Sequence, residues 1–151
     1  MGLLDILDSK LLDGNTVYLD TAPIIYYIEA LSPYADLLEP VFQAVKSGSL
    51  RACTATLTLA ETLVVPYRKK NEILLEKFEA LLTKTPDLTI LPLTSSIARE
   101  TAKIRAEFSI KTPDAVQLAT ARVNGIDCFL TNDKGLKLFS PLRIVVLDDF
   151  V

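Results

Sequence analysis

Histidine is missing from all 151 residues of this chain. Its absence removes the imidazole base of Ser-His-Asp and Cys-His hydrolases and the usual His-bearing zinc sites. Any hydrolytic chemistry must then run on carboxylates and a metal bound through oxygen, a preference of Mg²⁺ and Mn²⁺. Cysteine is scarce as well. Cys53 and Cys128 are the two in the sequence, both inside short apolar runs. They read as small buried hydrophobes rather than a disulfide or a metal pair, in keeping with a reducing, cytoplasmic setting. No apolar run approaches the ~18 residues that would span a membrane. A net charge of −3 leaves no global electrostatic footprint for nucleic acid. A local basic groove on an acidic protein is still compatible with that charge.

What remains is a chain with the composition of a folded domain, half of it hydrophobic and 23% charged. Its length suits one domain, 1–151, with a leader of residues 1–15 and a core of 16–151. The leader lacks a basic stretch and carries three aspartates, unlike a signal peptide. Ile6 stands where a myristoylation motif wants Ser or Thr. Leu3, Leu4, Leu7 and Leu11 recur at helical spacing before Gly14, which predicts a short amphipathic helix packed on the domain or on a partner.

Short continuous apolar runs alternate with amphipathic stretches along the core. The runs predict strands at 17–19, 50–54, 88–93, 127–131 and 144–147. Helices are predicted from Pro23 to Glu29, Tyr34 to Lys46, Asn71 to Lys84 and Thr94 to Phe108, and from Thr112-Pro113 to Asn124-Gly125. A further helix carries Glu61, capped by Thr56 or Thr58, with Leu59, Leu63 and Val64 turned inward. Ile73, Leu74, Phe78, Leu81 and Leu82 form the apolar face of the helix from Asn71. The alternation argues for an α/β fold, a three-layer α/β/α arrangement around a mostly parallel sheet of about five strands.

Four acids punctuate these runs: Asp20 in VYLD, Glu61 in LTLAE, Asp114 in KTPDAVQLATA and Asp133 in CFLTND. In open parallel sheets, sites form outside the carboxyl ends of the strands. Asp20 and Asp133 follow the first and fourth strands, while Glu61 and Asp114 lie early in helices. All four are expected at one sheet edge. There they would raise one another's pKa, a penalty that a divalent cation relieves. The simpler reading of each is a helix cap, a dipole-complementing acid or a turn aspartate.

The segments VYLDTAPIIYYIE, ATLTLAETLVVPYR and IKTPDAVQLATARVNGIDCFLTNDKGL together resemble the PIN domain family and, within it, the VapC-like ribonuclease toxins. The resemblance runs from about Val17 to Leu147. It implies a Mg²⁺- or Mn²⁺-dependent endoribonuclease in which Asp20, Glu61, Asp114 and Asp133 are the catalytic and metal-binding residues. Thr131 and Asn132 match the polar flank of the fourth acid, and Thr21 either caps the first helix or orders metal-bound water. The resemblance further implies a toxin neutralised by a small antitoxin protein, and a homodimer. The leader and the helices from Tyr34 and Asn71 point to the same end, offering more apolar face than one core hides.

Lys111 and Lys134 flank the acids and are candidates for RNA phosphate contacts. The cluster Arg68-Lys69-Lys70 reads as a solvated helix end or a further phosphate contact. Tyr26, Tyr27 and Tyr34 read as core or interface residues, and Asp148 and Asp149 as exposed and inert. Two other readings compete. One is a PIN-like interaction or scaffold module without turnover. The other is a receiver-like phosphotransfer domain, disfavoured because Asp20 has no adjacent acid.

Overall fold

The computed structural model describes residues 2–7 and 16–151. Its frame is a five-stranded parallel sheet of β1 (Thr16–Leu19), β2 (Arg51–Ala55), β3 (Leu88–Leu91), β4 (Cys128–Thr131) and β5 (Arg143–Val146). The strand order is β3-β2-β1-β4-β5, with every pairing parallel. The chain thus builds outward from β1 to β3 and then returns to the other side of β1 for β4. The two halves diverge beside β1, which opens a crevice at the carboxyl ends of β1 and β4.

Helices cover both faces: α1 (Leu3–Leu7), α2 (Thr21–Ile28), α3 (Tyr34–Ser47), α4 (Thr56–Arg68), α5 (Glu72–Lys84), α6 (Ser95–Glu107) and α7 (Thr112–Val123). Successive residues of β1 face opposite layers. Val17 and Leu19 enter a core with Ile24, Phe42, Phe78 and Leu130, whereas Tyr18 enters a second core with Ile97, Leu118 and Phe129. Burial on both faces explains why these strands read as unbroken apolar runs. Each fully buried Leu or Phe contributes about 1.5–3 kcal/mol. Cys53 and Cys128 are free and buried, on strands separated by β1 and in opposite layers. Burial pushes their thiols up, to about 12 and about 11.

The helix ends follow local chemistry. Asn71 accepts from the Leu74 amide (3.1 Å) at the start of α5, and Thr94 from the Ile97 amide (3.2 Å) at the start of α6. Gly48, at φ 84°, closes α3 in the left-handed conformation that glycine adopts without strain. Neither Thr56 nor Thr58 caps α4. Ala55 occupies that position, and the buried face of α4 is Thr58, Thr62 and Pro66. Val64 points to solvent instead of inward, and Ile73 of α5 is 74% exposed. Helix α4 therefore packs by hydroxyl hydrogen bonding as much as by apolar contact.

The surplus of apolar faces expected from the sequence is absorbed within the chain. Leu3 and Leu7 of α1 are buried in the same core as Leu38, Val41, Phe42 and Val45 of α3. Leu11 and Gly14, also assigned to the leader helix, lie outside the described residues. Exposed apolar side chains gather instead on the α4–α5 hairpin, at Val64, Val65, Tyr67 and Ile73. Among the described residues, no helix is long and apolar enough to cross a membrane.

Candidate active site

The crevice beside β1 holds a cavity of about 610 Å³, lined in part by Asp20, Glu61, Asp114 and Asp133. Four acids spread over more than a hundred positions of sequence thus meet at one sheet edge. A fifth carboxylate, Asp148, joins them on the short 3₁₀ turn after β5, half-buried where the sequence suggested exposure. Lys134 is the one lysine in the lining.

Asp20 sits where β1 becomes α2. Its backbone N–H continues the ladder to Leu130 O (2.9 Å), and its side chain caps the helix by accepting from the Thr21 amide (2.9 Å). The other carboxylate oxygen accepts from Thr131 Oγ1 (2.8 Å), so both oxygens are oriented. The cap is therefore Asp20 itself and not Thr21. Asp20 is 8% exposed, and its carboxyl is pushed up to about 6. Burial is the main cause, with Asp114 and Glu61 adding repulsion and the Thr131 and Thr21 hydrogen bonds opposing it. Asp114, in the first turn of α7, is raised too, by burial and then by Asp133 and Glu61, with Lys111 opposing. Asp20 and Asp114 are thus both raised chiefly by burial, with neighbouring acids adding to it.

Glu61 is held by a device that sequence reading passed over. Thr21 Oγ1 donates to Glu61 Oε1 (2.8 Å), and Gln117 Nε2 donates to the same oxygen (3.2 Å). Gln117, 1% exposed, lies one turn beyond Asp114 on α7. Its Nε2 also reaches Thr21 Oγ1 (3.2 Å) and Thr58 Oγ1 (3.1 Å), and its Oε1 accepts from the Tyr18 hydroxyl. Thr58 bonds Thr54, whose hydroxyl donates to Leu19 O (2.7 Å). The carboxylate of Glu61 is therefore tied to the strands through buried polar groups. Among the described residues, no buried polar side-chain atom lacks a partner. The available signal was a glutamine in the middle of a run of buried, mostly small residues, Ala115 to Ala121.

At the end of β4, Thr131 couples two acids. It donates to Asp20 and accepts from the Asp133 amide (3.1 Å). Asp133 is exposed, and its Oδ1 accepts from the Gly135 amide (2.9 Å), so it is also a turn aspartate. Asn132 lines the cavity and accepts from the Asp148 amide (2.9 Å). Lys111 precedes α7 outside the lining. Arg68, Lys69 and Lys70 end α4, roughly 10 Å along its axis from Glu61, and line no part of this cavity.

The donor set fits a hard cation. Every candidate ligand is an oxygen, and the mutual repulsion falls when a positive charge is added. Among the described residues, no group of three or more Asp, Glu or Cys side chains is arranged to hold a metal ion.

The raised carboxyl of Asp20 has a thermodynamic consequence in the absence of divalent cations. Its folded-state pKa of about 6 lies above its ordinary value of 3.8. The folded protein therefore holds this proton more tightly than the unfolded chain. The resulting stability is full below about pH 4 and is lost as pH rises through about 6, by up to roughly 3 kcal/mol. Asp20→Asn removes that ionisation. In chelator, urea unfolding at about pH 4 and pH 7 is expected to show a larger loss in the wild type than in Asp20→Asn, which keeps the contribution of Asp114. The same loss in both proteins would contradict this account of Asp20.

Solved structures share the fold. VapBC2 from Rickettsia felis, bound to a DNA fragment from its promoter, aligns with a TM-score of 0.68 at 19% identity, covering 87% of this chain and 98% of that one. DNA-bound VapBC from Salmonella typhimurium aligns at 0.62 and 20%, with the same coverages. VapBC-5 from Mycobacterium tuberculosis, a member of the VapBC family of toxin-antitoxin systems, aligns at 0.59 and 22%, again covering 87% and 98%. No curated protein matches significantly. The sequence profile of the PIN domain matches residues 17–140, a span that includes all four acids named from the sequence. The chain belongs to the PIN domain family.

Proposed function

We propose that this protein is a metal-dependent endoribonuclease that hydrolyses RNA phosphodiesters with Mg²⁺ or Mn²⁺. The observation that carries the reading is the gathering of Asp20, Glu61, Asp114 and Asp133 around one cavity at the carboxyl end of the sheet. A divalent ion held there would supply the activation of water and the screening of phosphodiester charge. The chain's own part is positional. Asp20, Glu61, Asp114 and Asp133 are the residues that would hold the ion. Thr131 and the Thr21 amide fix both oxygens of Asp20, while Thr21 and Gln117 fix Glu61. Asn132 secures the loop that carries Asp148. Such neighbours of a metal ligand typically set affinity or activity by about 10–100-fold. Lys134 is the cavity cation suited to a substrate phosphate, with Lys111 and the Arg68-Lys69-Lys70 cluster as outer contacts.

The structural relatives supply the biological setting of this proposal. Several are toxin-antitoxin complexes. The chain is read on that basis as a cytoplasmic toxin whose cleft is controlled by a small antitoxin protein. Cleavage of RNA by the purified protein should require Mg²⁺ or Mn²⁺ and stop in chelator. Asp114→Asn should lower it by at least about tenfold with the fold retained by circular dichroism. Undiminished cleavage by folded Asp114→Asn protein would sink the mechanism. Absence of any cleavage by the wild type would favour the scaffold reading.

A homodimer belongs to the same proposal, now resting on the exposed Val64, Val65, Tyr67 and Ile73 of the α4–α5 hairpin. Light scattering at micromolar concentration should return a dimer mass, reduced to a monomer by Tyr67→Asp. A monomeric wild type would remove the dimer from the account.

A further inference from the structure

The cavity has two unlike walls. One carries the five carboxylates, Asn132 and Lys134. The other is α2, which contributes Ala22, Ile25 and Tyr26. The first wall is acidic, with Lys134 as its one lysine. Contacts that do not depend on charge would add to what a metal ion and that lysine give an RNA strand. Stacking of a base on an aromatic ring is such a contact.

Tyr26 is built for that contact in a way the other tyrosines are not. Its ring stacks on Tyr34 at 4.5 Å between centroids and 18° between planes. The Tyr34 hydroxyl donates to Asp148 Oδ1 (2.5 Å), and the Asp148 amide is held by Asn132. The ring pair is therefore braced against the segments that follow β4 and β5, the same segments that line the acidic wall. Both rings are half-buried and pack against the core, leaving part of each exposed. By contrast, Tyr18 is fully buried, and Tyr27 stacks on Phe42 with its hydroxyl taken by Lys46. Tyr67 stands on the distant α4–α5 hairpin. Among the described residues, Tyr26 is the aromatic side chain in the lining of the acidic cavity.

We propose that Tyr26, backed by Tyr34, is a stacking platform for one nucleobase beside the reacting phosphodiester. The inference rests on the ribonuclease reading for what the neighbouring acids do. The platform can receive only an unpaired base, because a base inside a duplex is already stacked on both faces. Tyr26 acts by binding, so its aromatic ring matters and its hydroxyl does not.

The test uses Asp20→Asn protein in Mg²⁺, a fluorescein-labelled short oligoadenylate, and an abasic RNA of equal length and charge. Fluorescence anisotropy should show roughly tenfold tighter binding of the oligoadenylate. Tyr26→Ala should abolish that preference and Tyr26→Phe should keep it. The comparison of the two RNAs on protein with intact Tyr26 does not depend on whether Tyr26→Ala folds. Equal binding of the two RNAs, a preference that survives Tyr26→Ala, or no binding of either would overturn the platform. Wild-type cleavage of RNA is scored separately. Cleavage without base preference leaves the nuclease and removes the platform, whereas base preference without cleavage does the reverse.

Discussion

Burial of carboxylates beside one another is the constraint around which this protein is arranged. Burial and neighbouring acids lift Asp20 to about 6, and similar causes lift Asp114. A fold gains nothing from such a cluster on its own, since each ionised group makes the next harder to ionise. What holds the cluster is the rest of the structure: the parallel sheet that delivers Asp20 and Thr131 from adjacent strands, and the hydroxyl and amide groups that clamp the carboxylate oxygens. The site is thus costly electrostatically but well ordered geometrically.

The strand order explains why the site lies where it does. With β2 and β4 on opposite sides of β1, the strand order reverses at β1, the place where such sheets open a crevice at the carboxyl ends of their strands. Tyr18 and Leu19 then face opposite layers immediately before Asp20, so the acidic edge begins where the core ends. The buried chain from Tyr18 through Gln117 and Thr58 to Thr54 links that edge to the sheet. A buried network of this kind is rigid when fully satisfied and costly when any member is lost.

Much of this was legible in the sequence because it depends on local rules. Strands buried on both faces leave unbroken apolar runs, and acids placed directly after such runs mark the carboxyl edge. Thr94, Asn71 and Gly48 announce helix ends by chemistry confined to a few residues. What escaped depends on partners distant in the chain. Gln117 acquires its role from Glu61 and Tyr18, and Thr58 from Gln117, none of which is near it in sequence. Asp148 lines the cavity only because β5 pairs with β4 in one register. Tyr26 was read as a core or interface residue, and half of that is right: it packs on the core with one side and lines the cavity with another. The leader's leucines posed the opposite problem. Their amphipathic pattern is real, but only the fold reveals that α3 receives Leu3 and Leu7 within the same chain.

The claim that the acidic cavity is organised around a cation is tested most directly on Asp20 itself. Carbon-detected NMR of its carboxyl group, followed against pH with and without saturating Mg²⁺, reads the titration of this one side chain. The account predicts a midpoint of about 6 in chelator, falling by roughly one unit or more when Mg²⁺ is present. A midpoint unchanged by Mg²⁺, or one already near 3.8 in chelator, would contradict it.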